Sequence, residues 1–402
     1  MPSAEVVCVG DELLSGRVTD TNSGWLGARL AEAGWRLVRV ATVPDELDAV
    51  ADAVAAACAR VPLVLVTGGL GGTSDDLTRE ALARVAGRPV VRDPRLEQAL
   101  RDRYAKRAAE PPAGALAMAD VVEGAEVLAN PAGTAPGLRL RVGGAQVVAL
   151  PGVPAEVRAI AAASVLPGLA GGERTTTSLW LPLADEAAVG DALGPLEAAL
   201  PDGVRLGYLA GGGSTEVRLT GLPEVVAPLA ARARTQLRAA LPAALVLDEP
   251  LPASVLAVLR GAGETLAVAE SLTGGLVTAA LVAVPGASAV LRAGVVSYAT
   301  ELKAGLLGVD AGLLAERGAV DPDVARQMAE GVRLRTGATW GVATTGVAGP
   351  EPQDGRPVGE VHVAAAREGE VRVRSVQLRG DRDRVRTTAV VTALVLLREA
   401  IQ

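Results

Sequence analysis

The segment Leu63-Val64-Leu65-Val66-Thr67-Gly68-Gly69 is an unbroken apolar run that stops at a threonine and two glycines. A short run of this kind, without polar alternation, reads as a strand covered on both faces, as the strands of parallel sheets are. Its neighbours fit the same reading. Upstream, Asp45 to Arg60 is an alanine-rich helical stretch, Trp35 to Val43 a strand, Thr21 to Ala33 a helix and Glu5 to Val9 a short apolar strand. This β-α-β-α-β rhythm predicts a largely parallel sheet covered by helices, the α/β class. Downstream, Leu138–Val142 and Gln146–Leu150 read as a hairpin that closes on Pro151-Gly152.

The loop that leaves the 63–67 strand runs Gly68-Gly69-Leu70-Gly71-Gly72-Thr73-Ser74-Asp75-Asp76-Leu77-Thr78. A glycine-rich loop leading into a helix can cradle phosphate. Asp75 and Asp76, expected at the helix start, either hold a divalent cation or complement the helix dipole. No Gly-Lys-Ser/Thr follows the glycines, so this is not a P-loop of the Walker type. Gly10-Asp11-Glu12-Leu13-Leu14-Ser15-Gly16 follows the first strand in a similar way.

The chain has 402 residues, half of them apolar, and at roughly 100–200 residues per domain two or three domains are expected. Phenylalanine is absent and aromatic residues make up 2%, so packing must rest on Ala, Val and Leu. A net charge of −7 argues against nucleic acid as a main ligand, because neutralising phosphates needs a basic surface. Cys8 and Cys58 lie in apolar segments and are expected as free thiols in a reducing, cytoplasmic compartment. The N-terminus begins directly as a strand, without the pattern of a signal peptide. Leu272 to Leu291 is uncharged over the length of a membrane span, but Gly274, Gly275, Pro285 and Gly286 interrupt it, so it reads as buried protein.

Residues 171–248 read as a small α+β module: strands at Thr175–Leu183, Val204–Leu209 and Thr215–Leu222, with helices at Asp185–Leu200 and Pro223–Ala240. Asp248-Glu249-Pro250-Leu251-Pro252 is the expected linker, since its prolines resist helix and sheet. Beyond it, α/β alternation resumes. Strands are expected at Thr265–Ala269, Val290–Tyr298, Trp340–Thr345, Gly359–Ala366 and Val371–Leu378, with a closing helix from Asp381 to about Ala400.

The basic side chains are almost all arginine; Lys106 and Lys303 are the two lysines and His362 the single histidine. A catalytic base is therefore not expected to be histidine. Ser271 stands at a strand-to-helix junction followed by Thr273, Gly274 and Gly275. That position suits an ordinary N-cap, a phosphate cradle, or a hydroxyl nucleophile beside an oxyanion hole. Serine needs a base to become a nucleophile. Arginine cannot serve, but a buried lysine whose pKa falls towards neutrality can. Lys303, in Ser297-Tyr298-Ala299-Thr300-Glu301-Leu302-Lys303, is the candidate; taken alone it also reads as a solvated helix residue. Thr345, Gly346 and Gly349 belong to a strand-to-turn segment, and Arg382 opens the last helix, where it can clamp a phosphate.

AESLTGG (269–275), VVSYATELKAGLLGV (295–309), ATTGVAGP (343–350), PVGEVHVA (357–364) and LRGDRDRVR (378–386) follow one another in this order. Together they closely resemble the C-terminal domain of the CinA family, the bacterial nicotinamide-nucleotide amidases, over 252–402. The resemblance implies a serine amidohydrolase that converts nicotinamide mononucleotide to nicotinate mononucleotide and ammonia, with no cofactor. It implies Ser271 as nucleophile, Lys303 as general base, and substrate contacts from Tyr298, Thr345 and Arg382. The backbone of Thr273, Gly274 and Gly275 is expected to hold the oxyanion. Leu272 stands where cysteine is frequent in the family and Asp321 where serine is usual, the latter setting a negative charge near the expected site.

Residues 1–170 resemble the molybdopterin-binding-like domain of the same family. The match rests on Gly68, Gly69 and Thr73, on Asn130-Pro131-Ala132-Gly133-Thr134, and on Leu150-Pro151-Gly152. Gly72 replaces a usual proline. This resemblance implies ADP-ribose hydrolysis with a divalent metal (Mg, Mn or Co) near Asp75 and Asp76, and diphosphate contacts from Gly68, Gly69, Thr73, Asn130, Gly133 and Thr134. The 171–248 module resembles a KH-like connector, without the basic excess that RNA binding needs. The family further implies a homodimer with small-molecule nucleotides as ligands and no membrane. A second reading is a scaffold that binds nucleotide or pterin without turnover, linked to competence or DNA damage.

Overall fold

The computed structural model describes residues 1–106, 109–169 and 174–401. It forms two compact units, Met1–Thr175 and Thr176–Gln402.

In the first unit the strands are β1 (Ser3–Val9), β2 (Arg36–Val43), β3 (Leu63–Thr67), β4 (Val90–Arg92), β5 (Asp120–Val122), β6 (Glu126–Leu128), β7 (Gly137–Val142) and β8 (Ala145–Leu150). The main sheet runs β2-β1-β3-β8-β7-β6. β2, β1, β3 and β8 are parallel, and the β7–β8 hairpin adds the antiparallel edge. β3 is buried on both faces because alternate side chains point to opposite layers. Val64 and Val66 pack with the helices Leu47–Cys58 and Thr78–Ala86, while Leu63 and Leu65 pack with Asn22–Glu32 and Pro154–Ile160. The helix Pro94–Ala105 and the β4–β5 ribbon were not anticipated from the sequence. The chain passes from β1 outward to β2 and back to β3 on the other side, so the strand order reverses between β1 and β3, the place where ligands of open α/β sheets bind.

The second unit begins with the sheet β10-β11-β9, made of β9 (Thr175–Pro182), β10 (Arg205–Gly211) and β11 (Ser214–Gly221), under the helices Glu186–Glu197 and Pro223–Ala240. The linker reading needs correction. Leu247 still pairs with Trp180 of β9, and Leu251 and Pro252 already form the first turn of a helix, Leu251–Ala262. Proline costs no hydrogen bond in a first turn, which is why it does not break this helix.

The second large sheet has the order β13-β12-β14-β15-β16, with β12 (Leu266–Glu270), β13 (Leu291–Val296), β14 (Trp340–Gly346), β15 (Glu360–Arg367) and β16 (Glu370–Gln377). β13, β12 and β14 are parallel; β15 and β16 continue antiparallel. One face carries Leu266, Val268, Val342 and Val363 against the helices Leu251–Ala262 and Arg382–Ala400. The other carries Ala267, Ala269, Ala343 and Ala364 against Pro322–Thr336. The absence of phenylalanine is thus met by small side chains that let this helix lie close to the sheet. Among the described residues no helix is long and apolar enough to cross a membrane.

Candidate active site at the ends of three parallel strands

β12 lies between β13 and β14, so the chain ends leaving all three strands meet at one edge of the sheet. Ser271 follows β12. Its amide donates to the Thr344 carbonyl at 3.0 Å, and on the other side the Ser297 amide donates to the Glu270 carbonyl at 2.9 Å. The junction at Ser271 is therefore fixed by ladder bonds to both neighbouring strands. Gly274 and Gly275 then adopt φ of 59° and 97°, a left-handed pair that turns the chain into the helix Leu276–Val282.

Lys303 comes from the helix Thr300–Leu307, which follows β13, and its side chain is fully buried. Nζ lies 3.1 Å from Ser271 Oγ, 2.8 Å from the Ser297 carbonyl oxygen and 3.3 Å from the Tyr298 carbonyl oxygen. Burial holds the ammonium down to about 8, against a smaller opposing pull from Glu301. The geometry follows from counting protons. A neutral amine has two N–H bonds for the two carbonyls, which leaves its lone pair for the Ser271 hydroxyl.

A cavity of about 80 Å³ opens beside this pair. Ser271, Lys303, Tyr298, Thr345, Gly346, Gly349 and Arg382 all line it. Thr345 is fully buried and donates its hydroxyl to the Ala319 carbonyl at 2.7 Å, so it shapes the wall with its methyl side. Arg382 opens the helix Arg382–Ala400. It donates to the Gly349 carbonyl and, at 3.2 Å, to the Tyr298 hydroxyl, placing a guanidinium at the exposed mouth. Glu351 and Gln353 also line the cavity. The sequence reading did not mark them, although they stand immediately after the ATTGVAGP segment that it did.

Thr273, Gly274 and Gly275 are not brought into the cavity. Thr273 is buried and its hydroxyl pairs with that of Thr344 at 2.8 Å. The Gly274 amide donates to the Ser271 carbonyl at 3.0 Å and the Gly275 amide to the Glu270 carboxylate at 2.9 Å. Neither amide is left for an oxyanion. Asp321 is likewise no charge in the site. It caps the helix Pro322–Thr336, accepting from the Asp323 amide at 2.8 Å, and Arg356 stands 3.7 Å from its other oxygen.

In the first unit the expected residues are occupied by the fold itself. The helix after the glycine-rich loop starts at Thr78, so Asp75 and Asp76 precede it. The Asp76 carboxylate accepts from the Gly71 amide (2.7 Å), the Thr73 amide (2.8 Å) and the Thr73 hydroxyl (2.5 Å). It closes the loop on itself and would have to release these donors to take a cation. Among the described residues no group of three His, Cys, Asp or Glu side chains is arranged to hold a metal ion. The Gly68 amide donates to Leu150 and its carbonyl accepts from the Thr78 hydroxyl, while Gly69 accepts from the Thr78 amide. Asn130 donates to the Ala135 carbonyl and to Glu156, both at 2.8 Å. The Gly133 carbonyl accepts from Arg103, and Thr134 follows in the same turn. Asp45 was not anticipated: burial raises its carboxyl pKa, with added repulsion from Asp11, Glu12 and Asp75.

Residues 248–401 match the CinA C-terminal domain family, and residues 5–171 match the probable molybdopterin binding domain family. A CinA-like protein of Frankia casuarinae is 45% identical over 99% of this chain and 96% of its own length. A CinA-like protein of an Anaeromyxobacter species (strain K) is 42% identical over 99% of both. A crystal structure of the protein CinA with unknown function from Thermoplasma acidophilum covers 40% of this chain and 95% of its own, at 37% identity and a TM-score of 0.38.

Proposed function

The chain belongs to the CinA family, and on that premise we propose that its C-terminal domain is a nicotinamide-mononucleotide amidase working through Ser271 and Lys303. The observation that carries this reading is the 3.1 Å contact between a buried lysine amine and a serine hydroxyl at the wall of a cavity. The cavity accepts the amide-bearing end of a substrate, and its anionic end stays at the mouth near Arg382.

In the first half-reaction the Ser271 Oγ attacks the amide carbon while Lys303 Nζ takes the hydroxyl proton. The tetrahedral species collapses by breaking the C–N bond, and the Lys303 ammonium gives its proton to the departing nitrogen, which leaves as ammonia. An ester on Ser271 remains. Water then attacks it, with Lys303 again taking a proton and returning it to the Ser271 oxygen. Nicotinate mononucleotide is the product, and the enzyme is restored.

The test is release of ammonia and nicotinate mononucleotide by the purified full chain, with Ser271→Ala alongside and with a chelator present. Activity that survives the chelator and vanishes in the variant supports the reading. A folded wild-type chain that releases no ammonia removes it and leaves the scaffold reading, nucleotide binding without turnover.

The neutral amine is the active form, so kcat/KM should rise with pH and level off near the value of about 8 set by burial. Below it, the slope is about tenfold per pH unit for one ionisation. Stability follows the same group. The folded pKa lies below that of an exposed lysine, so the unfolded chain binds more protons between the two values. Unfolding free energy contributed by Lys303 therefore rises with pH across that window, and the burial cost is fully present below about 8. A profile that falls through this pH range contradicts the assignment of Lys303 as base.

For the first unit we infer binding of a diphosphate- or pterin-bearing small molecule at the C-terminal ends of β1 and β3. What supports this is the family membership and the reversal of strand order there. Hydrolysis of ADP-ribose at that place is checked by AMP release with Mg²⁺, Mn²⁺ or Co²⁺, comparing wild type with Asp75→Asn.

A further inference from the structure

The turn that presents Ser271 has its polar backbone groups taken up from two sides. Glu270, the residue before the nucleophile, is fully buried. Its carboxylate accepts from the amides of Gly275 (2.9 Å), Val277 (3.0 Å) and Thr278 (2.9 Å) and from the Thr278 hydroxyl (2.7 Å). These amides are donors that the start of a helix otherwise leaves unpaired. Four donors also satisfy a buried charge that would be costly alone. On the other side, Arg386 donates through Nε to the Leu272 carbonyl at 3.1 Å and through a terminal nitrogen to the Thr273 carbonyl at 3.2 Å. The Glu270 carbonyl accepts from the Ser297 amide, and the Ser297 carbonyl accepts from Lys303. One short path of hydrogen bonds thus links the turn to the base.

We propose that Glu270 is a positioning residue for the Ser271–Lys303 pair, an internal anion that locks the Ser271–Gly275 turn so that Oγ stays on Nζ. A second consequence concerns the substrate. With the carboxylate already on these amides, the helix end offers no place for a phosphate, so the anionic end of the nucleotide is met by Arg382 instead. The kinetic part of this inference rests on the amidase reading; the geometric part does not.

Glu270→Gln is the first test. A carboxamide accepts at one end and donates at the other, so it cannot accept from all four donors, and the charge is lost. Misplacing a reacting group by a fraction of an ångström to an ångström costs about 10- to 100-fold, and kcat for nicotinamide mononucleotide should fall by that factor with KM little changed. Sulfonylation of Ser271 by a small sulfonyl fluoride, with loss of fluoride, should slow in parallel. The midpoint of the pH profile should stay near 8, because burial is what chiefly holds Lys303 there and Glu270 makes its hydrogen bonds to the turn rather than to Lys303. Thr278→Val, which lacks one donor, should show a smaller loss of the same kind, and Thr278→Ser should restore it.

A kcat per folded molecule equal to wild type in Glu270→Gln overturns the inference, as does a loss confined to KM or a displaced pH midpoint. If Glu270→Gln does not fold, the Thr278→Val and Thr278→Ser pair decides by the same readouts. If the wild type is sulfonylated at Ser271 yet releases no ammonia, the amidase reading falls while the relative sulfonylation rates still judge Glu270.

Discussion

Lys303→Arg is expected to lower kcat for nicotinamide mononucleotide by at least about 10³-fold, the range of losing a general base that acts as a unit with its nucleophile. The substitution keeps a positive charge and donors for the Ser297 and Tyr298 carbonyls. What it removes is the ability to give up a proton, since guanidinium stays protonated to about pH 12 or above. Arginine is also bulkier in a site where the lysine is fully buried, so a second variant separates packing from chemistry. Lys303→Met is similar in length and uncharged. It leaves the two carbonyls without a donor, a cost of about 1–3 kcal/mol for each buried unsatisfied group, and it should fold and be equally inactive. Circular dichroism and thermal melting establish folding; ammonia release establishes activity. Substantial turnover by Lys303→Arg would remove lysine from the mechanism.

The largest effect expected away from the reacting atoms is at Gly331→Ala. Gly331 lies in the helix Pro322–Thr336, and a Cβ there would overlap the carbonyl oxygen of Leu307. Leu307 is the last residue of the helix that carries Lys303. In an isolated helix alanine is favoured over glycine by about 1 kcal/mol, so the sign is not obvious in advance. The overlap decides it. The obstructing atom is backbone and cannot rotate away, and forced overpacking costs about 1–3 kcal/mol, at times more. Set against the helix gain, the net expectation is a destabilised fold, by up to about 2 kcal/mol. In a unit of this size that lowers Tm by about 2–4 °C per kcal/mol. A tenfold or larger drop in kcat should accompany it, on the order of what a displaced catalytic group costs. Gly305→Ala is the control: it sits in the Lys303 helix itself, but a Cβ there meets nothing within 4 Å. Equal melting temperatures for the two variants would show that the helix contact is looser than its geometry implies.

The strands that bear the candidate site were legible because their signals are local. Leu266–Glu270 and Trp340–Gly346 are apolar runs bounded by turn residues, and each lies within a residue or two of its expected span. The expected linker at 248–252 failed for an equally physical reason. Proline there stands in a helical first turn, where it is tolerated, and sequence composition does not distinguish that from a loop. The oxyanion expectation counted the donors of Gly274 and Gly275 without their acceptors. Glu270 stood in plain view in the motif, yet nothing local says that its carboxylate turns back onto the helix.

By itself, the sequence determined the α/β alternation, the alanine-rich packing and the rarity of lysine that singled out Lys303, since each depends on residue type and on spacing of a few positions. Only the tertiary structure decided that Ser271 and Lys303, 32 positions apart, meet at 3.1 Å, and that Arg386 closes on Leu272 from 114 positions away. It also decided that Asp76 closes its own loop instead of converging with other acids on one point. Secondary structure follows from hydrogen bonds and side-chain periods within one segment. A site depends on which strand ends the sheet order brings together, and on which donors and acceptors the packing has already paired.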